Sequence, residues 1–217
     1  MNNLKDLHIE KELLPLFDYS LNMFAKQKIL DILNRPLTSI EAIIERQNIL
    51  KGFTANQKIL KEYSYTILYL NEVHFFLKNE KIENLSLKKL KYRLLASKQE
   101  KIRYISKFNQ LILFFHRLES RYFTRLNVKQ FPEAYRSKIK EILSFFSNFE
   151  LYKYEYIVRE KRLRDKHVIA LTEKINELRG NGSVLSFWEN LFEFEAYLSI
   201  NTTIVRNNFT FPNFACC

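Results

Sequence analysis

Residues that stop helices are so scarce in this chain that little except long helices can be built from it. Gly occurs three times and Pro four times in 217 residues. An all-β chain, or one that alternates strands with helices, needs turn clusters at regular short intervals, and none are present. The long stretches between Pro36, Gly52, Pro132, Gly180 and Pro212 instead carry apolar residues at spacings of three and four, which is the period of a helix with one buried face. The expected fold is all-α, an elongated helical bundle containing a long antiparallel helical hairpin. At 47% hydrophobic and 15% aromatic residues, the chain can bury a sizeable core, and disorder is not a serious option.

The breakers place the elements. Residues 1–14 are polar and read as a short helix or a loose arm. Leu21, Phe24, Ala25, Ile29, Ile32 and Leu33 mark a helix that Pro36 ends, since proline supplies no N–H and disfavours helical geometry at Arg35. Thr38 and Glu41 have capping-box spacing, opening a helix with Ile40, Ile43, Ile44 and Gln47 on one face that runs to a C-terminal cap at Gly52. A second capping box is read at Thr54 and Gln57. Leu60, Tyr63, Ile67, Leu70, His74 and Leu77 then form one buried seam, where His74 is expected to be a packing residue. One long helix is predicted from Ser86 to Thr124, with Leu87, Leu90, Leu94, Ile102, Ile105, Ile112 and Phe115 along one side. After a turn over Asn127 to Pro132, a second long helix from Glu133 to Arg179 carries Ile139, Ile142, Phe146, Phe149, Tyr152, Tyr156, Val158, Leu163, Ile169, Ile175 and Leu178. Gly180-Asn181-Gly182 terminates it, Ser183 caps a last helix with Leu185, Trp188, Leu191, Phe192 and Leu198, and residues 207–214 read as extended. The expected organisation is residues 1–80 as the first part of a helical core, 81–180 as a basic hairpin, and 181–217 as a returning helix and tail that close the core.

Charge is concentrated in one place. The formal net charge is +11, and residues 81–130 hold thirteen Lys or Arg against Glu83, Glu100 and Glu119. A basic block of this density suits a polyanion; the bland alternative is a solvated helical face. Lys88, Lys91, Lys98, Lys101 and Arg103 fall mostly outside the apolar stripe and are the candidate nucleic-acid contacts. Tyr92, Tyr104, Phe108, Tyr122 and Phe123 are interleaved with the basic residues and could stack on bases, although aromatics at helical spacing are more often core.

Catalytic signatures are missing from the sequence. His8, His74, His116 and His167 are far apart and match no metal-ligand spacing. Gly180-Asn181-Gly182 lacks the Lys and hydroxyl pair of a phosphate-binding loop. Cys216 and Cys217 are adjacent, so they cannot staple a fold. No catalytic, cofactor-binding or metal residue is assigned, and the chain by itself is read as a non-enzyme. Asn-X-Ser/Thr triplets begin at Asn84, Asn181, Asn201 and Asn208, but residues 1–14 have no signal-peptide core and no apolar run is long enough to span a bilayer. The reading is cytoplasmic, without a membrane partner.

From Ser20 to Phe53, about a sixth of the chain, the sequence resembles the start of the core, or lever-base, domain of MutS-family mismatch-repair ATPases. In that resemblance Ser20 stands for a Thr, Phe24 for a Met, Ile29 for a Leu, and Ile32-Leu33 for Trp-Leu. Pro36, Leu37, Ser39, Ile40, Ile43, Arg46 and Leu50 follow in register. Ala25, Gln27 and Ile32 replace the family's Gly, Arg and Trp, as in a divergent branch. Phe194-Glu195-Ala196-Tyr197-Leu198-Ser199-Ile200 and Phe209-Thr210-Phe211-Pro212 resemble the family's returning helix and closing segment. The resemblance implies a core and lever that couple DNA contact to an ATPase domain lying beyond this chain. ATP and Mg would bind only there, and any homodimer would form through it. The chain is accordingly read as a piece of a larger DNA-repair protein. The alternative is a free-standing all-α scaffold or interaction protein with a basic surface.

Overall fold

The computed structural model describes residues 8–78 and 87–214. Residues 1–7 of the short helix or arm expected over 1–14, the start of the basic helix at Ser86 and the Cys216-Cys217 pair lie outside them. The fold is all-α, with no strand among the described residues. A π-helical turn, Ile9–Leu13, leads into α1 (Leu14–Phe17), α2 (Met23–Leu33), α3 (Ile40–Ala55), α4 (Gln57–Leu60), α5 (Ile67–Lys78), α6 (Leu87–Ala96), α7 (Lys98–Arg121), α8 (Glu133–Ser147), α9 (Leu151–Arg159), α10 (Asp165–Gly180) and α11 (Ser183–Arg206). Backbone packing divides the described chain into two compact units: residues 8–63, 126–139 and 189–214 form the first, and residues 64–78, 87–125 and 140–188 the second.

In the first unit, α2 begins later than the apolar pattern suggested because Asn22 caps it. Its Oδ1 accepts from the Phe24 and Ala25 amides, both at 2.9 Å, which satisfies N–H groups that have no partner within the helix. The corner after Pro36 forms as expected, but its cap is Ser39, whose Oγ accepts from Ala42 N at 3.2 Å; the Thr38–Glu41 box is displaced by one residue. Gly52 does not end α3, which continues to Ala55. Nor does Thr54 open a new helix, for its Oγ1 lies 2.7 Å from Asn201 Oδ1. The stop falls at Asn56, a buried side chain whose Nδ2 donates to Gly52 O at 2.9 Å and whose Oδ1 accepts from Asn127 N at 2.8 Å. Helix ends need partners for their open backbone groups; the Asn56 side chain takes the Gly52 carbonyl, and the backbone of Asn127, from a distant segment that local pattern could not reveal, fixes that side chain.

The two stretches that carry the family resemblance meet in this unit. Phe192 of α11 stacks on Phe24 with ring centroids 4.8 Å apart, and Lys28 pairs with Glu189. Gln47 Nε2 donates to Pro212 O at 3.2 Å, while Leu37, Ile43, Arg46 and Leu50 share a cleft with Phe211 and Pro212. Phe53 sits at the centre of the apolar core, with Phe131, Phe194 and Tyr197 rings around it.

In the second unit the core is a cluster of aromatic rings. Phe115 is fully buried among Phe145, Phe146, Phe149 and Phe187, with centroids 5.3–5.7 Å away. The expected return helix from Glu133 to Arg179 is three helices. Asn148 Nδ2 takes the Ser144 carbonyl at 2.8 Å, and Glu150 turns left-handed at φ 44°; Lys161, at φ 53°, marks the second break. A break changes which residues face inward. Leu151 and Tyr154 are buried, whereas Tyr152 and Tyr156, placed in the stripe by an unbroken helical count, are exposed. The basic helix is likewise interrupted at Ser97, and Ile102 is exposed rather than part of the buried side. Arg179 Nε reaches back to Leu77 O at 2.7 Å, occupying an end carbonyl of α5, as basic side chains near helix C-termini commonly do.

Candidate nucleic-acid interface

The basic block occupies α6 and α7 of the second unit. In α6, Leu90 and Leu94 are buried and fix its orientation. Lys88, Lys91, Tyr92 and Leu95 recur at spacings of three and four, so they share the opposite face, and all four are exposed. Ser97 leaves the helical region at φ −134° and ψ 113°, and its Oγ accepts from Glu100 N at 3.3 Å. It thereby starts α7, with exposed Lys98 as the first residue.

The five candidate cations divide into two kinds. Lys101 Nζ lies 2.8 Å from an Asp165 carboxylate oxygen, and Arg103 Nη1 lies 3.1 Å from Glu100 Oε1. A phosphate would compete with these carboxylates; such part-exposed pairs contribute only about 0–1 kcal/mol each. Lys88, Lys91 and Lys98 are exposed and pair with no carboxylate among the described residues. The Glu100–Arg103 pair is legible from its helical spacing. The Lys101–Asp165 pair is not, because it joins residues far apart in sequence.

The interleaved aromatics also separate. Tyr104, Phe108, Tyr122 and Phe123 are buried, as the packing reading expects. Tyr92 is 73% exposed and its neighbour Leu95 84% exposed. One face of α6 therefore offers two lysines, an aromatic ring and an aliphatic side chain to solvent.

Elsewhere, the first unit holds a cavity of about 340 Å³ bordered by Lys61, Tyr63, Glu195, Ser199, Asn201 and Thr202, among others. Glu195 is buried, and accepts from Asn22 Nδ2 at 2.6 Å and Tyr63 OH at 2.8 Å. It was not singled out in sequence, because a Glu in a helix gives no local sign of burial. Among the described residues it is the only carboxylate lining that cavity. No group of three or more His, Cys, Asp or Glu is placed to hold a metal ion among the described residues. Gly182 has φ 79°, and Asn181 Oδ1 accepts from Ser183 N at 3.0 Å; the glycine-rich spot is a turn between α10 and α11.

His74 is buried in α5, edge-on to Trp188 with centroids 4.8 Å apart. Burial, assisted by the Lys78 charge, lowers its pKa from 6.5 to about 4. The folded state therefore keeps the ring neutral where the unfolded chain protonates it, and stability present above pH 6.5 is lost as pH falls toward 4. Burial also lowers His116 and His167, with the same sign. Urea unfolding at pH 8 and pH 5 should show a loss of about 1–2 kcal/mol from His74, and His74→Leu should flatten the profile. An unchanged profile in that variant would assign the acid sensitivity to other groups.

No protein-family model, curated protein or solved structure matches the chain. No described helix is long and apolar enough to cross a membrane.

Proposed function

We propose that this chain is the helical core and lever of a MutS-like DNA-processing protein, contacting DNA phosphates through the outer face of α6 and the start of α7. ATP hydrolysis belongs to a domain outside these residues. The observation that carries the reading is the meeting of its two resemblance segments in one unit, through Gln47 and Pro212 and through Phe24 and Phe192. Lys88, Lys91 and Lys98 support the DNA contact, since exposed cations on helices suit the sequence-independent phosphate contacts that position a protein on a duplex. Such a module would pass mechanical state between DNA and ATPase rather than select the lesion.

Titration of a labelled duplex at several salt concentrations tests it. Affinity should fall steeply with salt, and the triple variant Lys88→Ala, Lys91→Ala, Lys98→Ala should reduce the log–log slope by about 3, close to one unit per phosphate contact. Binding that ignores salt, or is undetectable at low salt, removes DNA from this surface. That outcome favours the second reading, a scaffold protein that docks a protein partner on exposed Tyr92, Leu95 and Ile102.

A further inference from the structure

We infer that the outer face of α6 is a contact for single-stranded nucleic acid, with Tyr92 stacking on an unpaired base and Lys88 and Lys91, both on the N-terminal side of the ring, holding the adjoining phosphates. The inference rests on the phosphate-contact reading above and adds the strand state of the substrate. Duplex phosphates need only cations. A ring that is 73% exposed on the cationic face adds a flat apolar surface that paired, stacked bases cannot meet.

Position on the helix supports this assignment. Lys91 precedes Tyr92 directly, and Lys88 lies four residues before it, so both ammonium groups sit beside the ring on its N-terminal side and on one face of the helix. The rise of about 1.5 Å per residue puts Lys88 and Tyr92 roughly 6 Å apart along the axis, about one nucleotide of extended strand. Leu95, 84% exposed, continues the face by three residues and offers an aliphatic ledge for the next sugar or base. The other aromatics interleaved with the basic block are buried in the core, which makes Tyr92 the stacking residue among them. Base stacking on an aromatic side chain tolerates any sequence because every base has a π-face, and the lysines match the backbone charge. Strand recognition without sequence preference follows.

The test is fluorescence anisotropy with the whole chain, using a labelled mixed-sequence single strand, the duplex of the same length, and vesicles of anionic phospholipid. Wild type should prefer the single strand. Tyr92→Ala should weaken single-strand binding about tenfold and leave the duplex unchanged, Tyr92→Phe should restore it, and Lys88→Ala with Lys91→Ala should weaken both. Equal loss on single strand and duplex in Tyr92→Ala, or no single-strand preference in wild type, overturns the stacking assignment while leaving the phosphate-contact reading in place. Absence of binding to either nucleic acid sinks both. Vesicle binding as strong as single-strand binding, with the same dependence on Tyr92, overturns the assignment in favour of a lipid surface. Tyr92 is exposed on α6, so unchanged far-ultraviolet circular dichroism of its variants checks that folding is intact.

Discussion

Phe115→Ala is expected to remove about 3–5 kcal/mol of stability, the cost of a large-to-small change at a fully buried aromatic. The ring is 0% exposed and contacts Phe145, Phe146, Phe149 and Phe187 at centroid distances of 5.3–5.7 Å. Each of those rings is held by others in turn, as with Phe145 stacked on Phe187 at 4.1 Å, so the cavity cannot close without breaking further ring pairs. The protein's one tryptophan, Trp188, has its ring 6.5 Å from Phe115, and its fluorescence in urea reads this unit. Phe115→Leu, which keeps most of the volume, should cost clearly less. A loss below about 1 kcal/mol for the alanine variant would mean that the cluster repacks freely.

Substitution of Gly52 should be almost as damaging, by the opposite mechanism. A Cβ at this position falls 2.5 Å from Phe131 Cδ1 and 3.0 Å from the Gln130 carbonyl oxygen. Phe131 cannot step aside, because it is buried with its ring edge-on to Phe53 at 5.2 Å and beside Tyr135 at 5.6 Å. Gly52→Val should therefore cost about 2–3 kcal/mol, at the upper end for overpacking. Gly52→Ala should cost less, because alanine gains about 1 kcal/mol of helix propensity. Far-ultraviolet circular dichroism during thermal unfolding measures both. A Gly52→Ala protein more stable than wild type would show that the helix and the Phe131 segment are not in close approach.

Gly52 also shows how a local pattern and a tertiary contact can point to different structures. A glycine at the end of an amphipathic run has the local appearance of a C-terminal cap. Here it lies in the last turn of α3, which runs on to Ala55, and its missing side chain makes room for Phe131, whose arrival no local pattern announces. The return limb after Pro132 fails for a related reason. Helical counting through Glu150 puts Tyr152 and Tyr156 inside, but a left-handed residue at Glu150 resets the count and buries Leu151 and Tyr154 instead. No glycine or proline marks that break; capping by Asn148 and packing of Phe145, Phe146 and Phe149 accompany it.

The candidate site was legible in composition and less so in detail. The basic block and its five cations follow from counting. Which of them are accessible depends on tertiary partners, since Asp165 engages Lys101 from another helix. Tyr92 could not be told from Tyr104 by sequence, because both are tyrosines in helices rich in Lys and Arg.

By itself the sequence determined the helical class, the corner at Pro36, the turn before Pro132 and the place of the positive charge. These follow from backbone chemistry and composition, which act within a few residues. The tertiary structure alone decided where helices without glycine or proline break, why Gly52 must lack a side chain, that Glu195 is buried between Asn22 and Tyr63, and which face of α6 stays in solvent. Those outcomes are set by contacts between residues distant along the chain, where close packing and the need to satisfy buried polar groups outweigh local preference.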